Sequence, residues 1–166
     1  MKIPAKIIKF VLSIYVIYRK KMNPFKEPSD INFYKCSMEE MNDKINSMVY
    51  LPDRMNGLID RTDDPDTFYD ASKVSDRDCD DFARQWSLWG FYNDYDVWEC
   101  IVLNADKPFS TAHVITILQN IYTKKYWLMN YVPFGEFDTL EESIQYMKWY
   151  PSYKDGELIW KISDQL

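Results

Sequence analysis

A chain of 166 residues is the length of a single domain, and a core of that size can bury most of its apolar surface. The 46% hydrophobic content excludes wholesale disorder, and the net charge of −6 argues against a general nucleic-acid binder. Only 4 glycines occur, with no Gly-rich phosphate loop, and 3 cysteines without a Cys-x-x-Cys pair plus 1 histidine do not make a structural zinc site.

Residues 1–21 form a first unit. The apolar run Ile7–Tyr18 is preceded by Lys2 and Lys6, interrupted by Lys9 and followed by Arg19, Lys20 and Lys21. It is shorter than the roughly 20 apolar residues of a bilayer span. A small-residue cleavage site is also missing after it. Three readings stay open: a helix packed on the domain or on a partner, a membrane-surface or short anchor helix, and a cleaved signal. Residues 22–166 are expected to form the domain proper, joined through a loop with Pro24 and Pro28.

Ser37-Met-Glu-Glu40 is a capping-box pattern that predicts a helix to about Met48. Residues 51–78, rich in Asp, Pro and Thr, read as a long surface loop, and a loop of that length inside a domain is usually functional. Its acidic run Asp60–Asp66 lacks the Gly and Glu of a calcium loop, with Pro65 and Ala71 in their places, and reads as solvated. A second helix is expected from Cys79, with Phe82, Ala83, Trp86 and Trp89 on an apolar face and Gly90 as its stop. Val97–Leu103, Thr111–Ile121 and Tyr126–Val132 read as strands. Asp138-Thr-Leu-Glu141 is expected to cap a helix to about Trp149, and Leu158–Ile162 reads as a last strand. The order of elements is that of an α+β fold.

The chemistry-bearing residues follow from this layout. Asp78 is a good N-cap, which puts Cys79 at the first position of its helix, where unpaired N–H groups and the macrodipole favour a thiolate. Asp78, Asp80 and Asp81 oppose ionisation, so the thiol needs a cationic partner. His113, on an apolar strand, is the candidate base, and Asn130, on the next strand of a hairpin, is placed to orient the imidazole. Cys36 and Cys100 have no such context and read as structural. The odd number of thiols suits a reducing compartment, so a cytoplasmic protein is expected, with membrane association through residues 1–21 the variant of that reading.

The stretch Asp78-Cys-Asp-Asp-Phe-Ala83 resembles the cysteine motif of the bacterial transglutaminase-like cysteine peptidases. Tyr50-Leu-Pro-Asp53, Gly57-Leu-Ile-Asp60 and Pro65-Asp-Thr-Phe68 resemble that family's lead-in, and the resemblance spans roughly residues 42–150. It implies a papain-like or transglutaminase-like α+β fold, with the nucleophile at a helix N-terminus packed on an antiparallel sheet. It also implies a cysteine peptidase or amidase, a thiol hydrolase acting on a protein or peptide through Cys79, His113 and a third residue at Met129 or Asn130. Met129 cannot orient an imidazole, so Asn130 is chosen. No cofactor is required by this chemistry, although some relatives bind calcium through acidic residues flanking the cysteine, here Asp78 and Asp80. Arg77 stands where the family has Gly, and Asn130 where it has Asp. These departures motivate the alternative of a catalytically silent transglutaminase-like domain that binds a protein partner.

Overall fold

The β-branched and aromatic segments after Asp94 pair into one antiparallel sheet, and the capped helical segments pack on its two faces. The computed structural model describes residues 3–51, 64–70, 72 and 77–163. The elements are α1 (Ala5–Met22), α2 (Met38–Asn46), α3 (Cys79–Phe91), β1 (Tyr95–Asn104), α4 (Pro108–Thr111), β2 (His113–Asn120), β3 (Tyr126–Asn130), β4 (Val132–Phe137), α5 (Leu140–Gln145), α6 (Pro151–Lys154) and β5 (Leu158–Ile162). The 5 strands lie in the order β4-β3-β2-β1-β5, with every neighbouring pair antiparallel. The fold is thus α+β, a sheet with helices on both faces.

Strand alternation divides the core. Along β1, Val97, Ile101 and Leu103 point to the side that carries α1 and α3, while Cys100 and Val102 point to the other. On that second face Ile115, Ile117 and Leu128 pack with Ile144, Met147 and Tyr153. On the first face α3 is buried from Asp80 to Gly90, because α2 and the side chains of Tyr34 and Phe68 cover it from outside. Met41 and Ile45, one helical turn apart on α2, seal Trp86 and Trp89 in this layer, each contributing about 1.5–3 kcal/mol by leaving water.

The Ser37 box forms as its spacing predicts: the Glu40 N–H donates to Ser37 Oγ at 3.1 Å and the Ser37 N–H to Glu40 Oε2 at 2.8 Å. Several expectations change. Gly90 does not stop α3, which continues to Phe91; a Cβ there would stand 2.5 Å from Leu118 Cδ2, so this glycine serves close packing on the sheet. The strand expected from Thr111 begins at His113, after the short turn α4. The Tyr126–Val132 segment breaks at Tyr131, whose φ of 56° lies in the left-handed region, and a further strand, β4, follows. The second capping box is one residue later than Asp138–Glu141: Thr139 caps and Glu142 reciprocates, and α5 gives way after Gln145 to a 3₁₀ turn over Tyr146–Trp149.

Of the long loop, Leu51 and Arg77 exchange backbone hydrogen bonds at 2.9 and 2.8 Å, which closes its two ends. The lead-in segment beyond Leu51, the Gly57–Asp60 stretch and the Asp60–Asp63 part of the acidic run lie outside the described residues. Arg77 is buried, and its Nε donates to the Phe68 carbonyl at 2.6 Å; it pins the described turn at residues 64–70 beneath α3.

Candidate active site

The thiol is positioned by a reciprocal cap and by a row of small residues. Asp78 Oδ1 accepts from the Asp80 N–H at 3.2 Å, and the Asp81 carboxylate accepts from the Asp78 N–H at 3.2 Å, so α3 starts at Cys79. Cys79, Ala83, Ser87 and Gly90 recur at helical spacing on the side of α3 that meets β2. Being small, these residues let the helix come close. Thr116 Oγ1 donates to the Ala83 carbonyl at 2.6 Å and lies 3.2 Å from Ser87 Oγ, and Gly90 sits against Leu118. Cys79 therefore falls at the level of Val114, whose backbone N–H donates to its sulfur.

His113 and Asn130 come together through sheet register. Thr116 faces Met129 across β2 and β3, so His113 and Asn130 are diagonal neighbours on one face. His113 Nε2 and Asn130 Oδ1 are 2.6 Å apart, and Asn130 Nδ2 donates to the Tyr150 hydroxyl at 2.9 Å. With the amide oxygen toward the ring, Nε2 carries the imidazole proton and Nδ1 keeps its lone pair. Nδ1 makes no hydrogen bond with the described residues.

By alternation the His113–Asn130 pair leaves the sheet on the α5 face, whereas Cys79 approaches from the α3 face. Both lie at the start of β2, with Cys79 accepting from the N–H of Val114, the residue after His113. No hydrogen bond joins the thiol to the imidazole among the described residues. Tyr131 bridges them: its ring is 5.5 Å from the His113 ring, and its phenol is raised first by burial and then by the nearby Cys79 sulfur. Its left-handed backbone stores about 1–3 kcal/mol beside Asn130. Its carbonyl is held by Trp86 Nε1 at 3.2 Å. Tyr50 and Tyr153 are raised by burial and then by the same sulfur, so three phenols surround the thiol.

The electrostatics of the two candidate groups differ. Burial, then Asp78, pushes the Cys79 thiol up to about 12, against the Val114 N–H and the Arg19 guanidinium, which pull it down. Burial lowers the His113 imidazole below its ordinary 6.5, partly offset by the bond to Asn130. The Cys79 backbone N–H makes no hydrogen bond with the described residues and is open at the helix start.

Three carboxylates beside the thiol, those of Asp78, Asp80 and Asp81, have oxygens within 4.8 Å of one another. These include the calcium candidates Asp78 and Asp80. Asp80 is paired with Arg19 Nη2 at 3.2 Å, and Asp78 and Asp81 cap α3, so their oxygens already serve a guanidinium and backbone N–H groups. Cys36 lies away from this site with Lys44 Nζ at 3.5 Å, and Cys100 is buried on the opposite face of β1.

Arg19, Thr116, Tyr131 and Tyr150 were not singled out by sequence reasoning. The small-residue spacing from Cys79 to Gly90 carried the signal for Thr116's contact, and the helical phase of Arg19 with Ile8, Leu12 and Val16 carried the signal for its burial. Tyr150 has no local signal; its role depends on the fold. No family model, curated protein or solved structure matches the chain.

Proposed function

We propose that the chain is a thiol acyl-transfer enzyme with a papain-like or transglutaminase-like arrangement, a cysteine peptidase or amidase in which Cys79 is the nucleophile, His113 the base and Asn130 the orienting residue. The observation that carries this reading is the 2.6 Å contact between His113 Nε2 and Asn130 Oδ1, which leaves Nδ1 as an unbonded base at the sheet end where Cys79 starts its helix. Nδ1 takes the thiol proton as sulfur bonds to the amide carbonyl carbon. The C–N bond then breaks, and the leaving amine receives the proton from the imidazolium. Water attacks the resulting thioester, giving its proton to Nδ1, and the thiol is restored. The open Cys79 N–H is the first donor to the oxyanion. The mechanism requires the thiol and imidazole to come within hydrogen-bond reach when substrate is bound, as catalytic hydrogen bonds commonly tighten in the complex.

The pH dependence follows from the two groups. Protonation of His113 removes the base, so activity is lost as pH falls through a value below 6.5. The thiol's own ionisation near 12 lies too high to produce an alkaline limb in the ordinary range. Alkylation of the full chain by iodoacetamide, followed by peptide mapping, tests this. Cys79 should react faster than Cys36 and Cys100 and slow only below about pH 6.5. Labelling of Cys79 no faster than the other two thiols refutes the enzyme reading.

The raised thiol, with no hydrogen bond to the imidazole, favours a second reading: a catalytically silent domain that binds a protein partner. Under it, Cys79→Ala preserves the biological effect while surface substitutions abolish it.

A further inference from the structure

α1 has two apolar faces, and only one is used. Ile8, Leu12 and Val16 are buried against Ile101, Leu103, Ala105, Val114 and Ile159 of the sheet. Ile7, Phe10, Val11, Ile14, Ile17 and Tyr18 recur at the same helical spacing on the opposite side and are all more than half exposed, Phe10 at 67% and Ile17 at 72%. Exposed Lys6, Lys9 and Lys20 run along one flank between the two stripes, and Lys21 ends the helix. Six of the 20 Lys and Arg residues lie in residues 1–22, and none of the 26 Asp and Glu does, so the rest of the chain is strongly acidic.

We infer that this outer face of α1 seats on an anionic lipid bilayer, with the helix lying in the plane of the surface. The exposed stripe enters the headgroup–acyl boundary and Lys6 and Lys21 reach the anionic headgroups, while Lys9 also lies 3.6 Å from Glu157 Oε1; this is the geometry of an interfacial amphipathic helix. The charge division orients the molecule, since the acidic remainder is repelled by the surface that attracts α1. A second copy of the chain fits poorly. Exposed Lys6 near one end and exposed Lys20 and Lys21 at the other put cations against cations in either a parallel or an antiparallel helix pair. Spanning the bilayer is also not served, because among the described residues no helix is long and apolar enough to cross it.

Co-sedimentation of the full chain with phosphatidylcholine vesicles, with and without about a third phosphatidylglycerol, tests the inference. The chain should pellet with the anionic vesicles and much less with the neutral ones, and raising salt from about 0.1 M to about 0.5 M should release most of it. Phe10→Glu with Ile17→Glu touches only the exposed face, and it should weaken vesicle binding by about 100-fold with an unchanged thermal melt. Lys6→Glu with Lys21→Glu should weaken it by about tenfold or more. The inference is overturned if the chain ignores anionic vesicles, if both double variants bind as well as the parent, or if sedimentation reveals a dimer that the Phe10/Ile17 variant dissociates. Because none of these residues belongs to the Cys79 site, the result is independent of the catalytic reading.

Discussion

Replacing His113 with Ala is expected to slow acylation of Cys79 by about 10³-fold, within the range for loss of a positioned general base. The magnitude follows from the thiol's surroundings. Burial and Asp78 push Cys79 up to about 12, so at neutral pH almost none of it ionises unaided. In the proposed mechanism the single histidine of the chain, with Nε2 tied to Asn130, offers Nδ1 as the base that takes the proton. Burst release of nitrophenol from p-nitrophenyl acetate reads this step directly. Asn130→Ala should slow it about 10- to 100-fold, as the ring loses its orienting acceptor. Asn130→Asp should retain most of the rate, since a carboxylate still accepts from Nε2–H and the Tyr150 hydroxyl can turn to donate. Its acid limb should then move to higher pH, because the added negative charge raises the imidazole. An unchanged burst in His113→Ala would remove the base from the account.

The second large effect is on stability. Replacing Glu99 with Gln should destabilise the fold by about 3–5 kcal/mol, because it strips the counter-charge from buried guanidinium groups. Glu99 lies beneath α3 with Oε1 at 2.8 Å from Arg84 Nε and Oε2 at 3.6 Å from Arg19 Nη2. Arg84 also donates to the Asn23 and Pro24 carbonyls at 3.3 and 3.4 Å, so this cluster ties α1 and the following turn to the sheet. Burial alone would raise the Glu99 carboxyl, but Arg84 and then Arg19 outweigh it and hold it below the ordinary 4.5. A carboxyl lowered on folding stabilises above its unfolded value, and that contribution is lost as pH falls through the folded value. Urea unfolding of the parent should therefore weaken as pH drops below about 4.5, and Glu99→Gln should be flatter across that window. An equal midpoint at pH 7 for both proteins would mean that the cluster contributes nothing net.

Local chemistry made much of this molecule legible from its residues. Asp78 with Asp81, and Ser37 with Glu40, are short-range caps whose partners are three residues apart, and both helix starts are found where those side chains predict them. The β-branched runs around Ile101, Ile115 and Leu128 similarly declare their strands. β4 was hidden because Pro133 and Gly135 interrupt any alternating pattern, and it pairs at the edge of the sheet only because Tyr131 turns the chain. Thr139 and Asp138 both offer a capping oxygen, and only the chain's path after β4 selects Thr139. α1 is apolar around much of its circumference, so its sequence alone could not say which stripe faces the sheet. For the site, the pairing of His113 with Asn130 followed from a hairpin expectation and is present in the register. Arg19 shares the helical phase of the buried stripe of α1, but its pairing with Asp80 at 3.2 Å, like the hold of Tyr150 on Asn130, joins distant segments and left no spacing to read.

The central claim is that Cys79 carries an acyl group during turnover, and mass spectrometry of the full chain reacted with p-nitrophenyl acetate measures this directly. The account predicts a single acetyl adduct that maps to Cys79, disappears in Cys79→Ala, and is slow to form in His113→Ala. Acetylation confined to lysines or to Cys36, or an adduct that persists unchanged in Cys79→Ala, would contradict it.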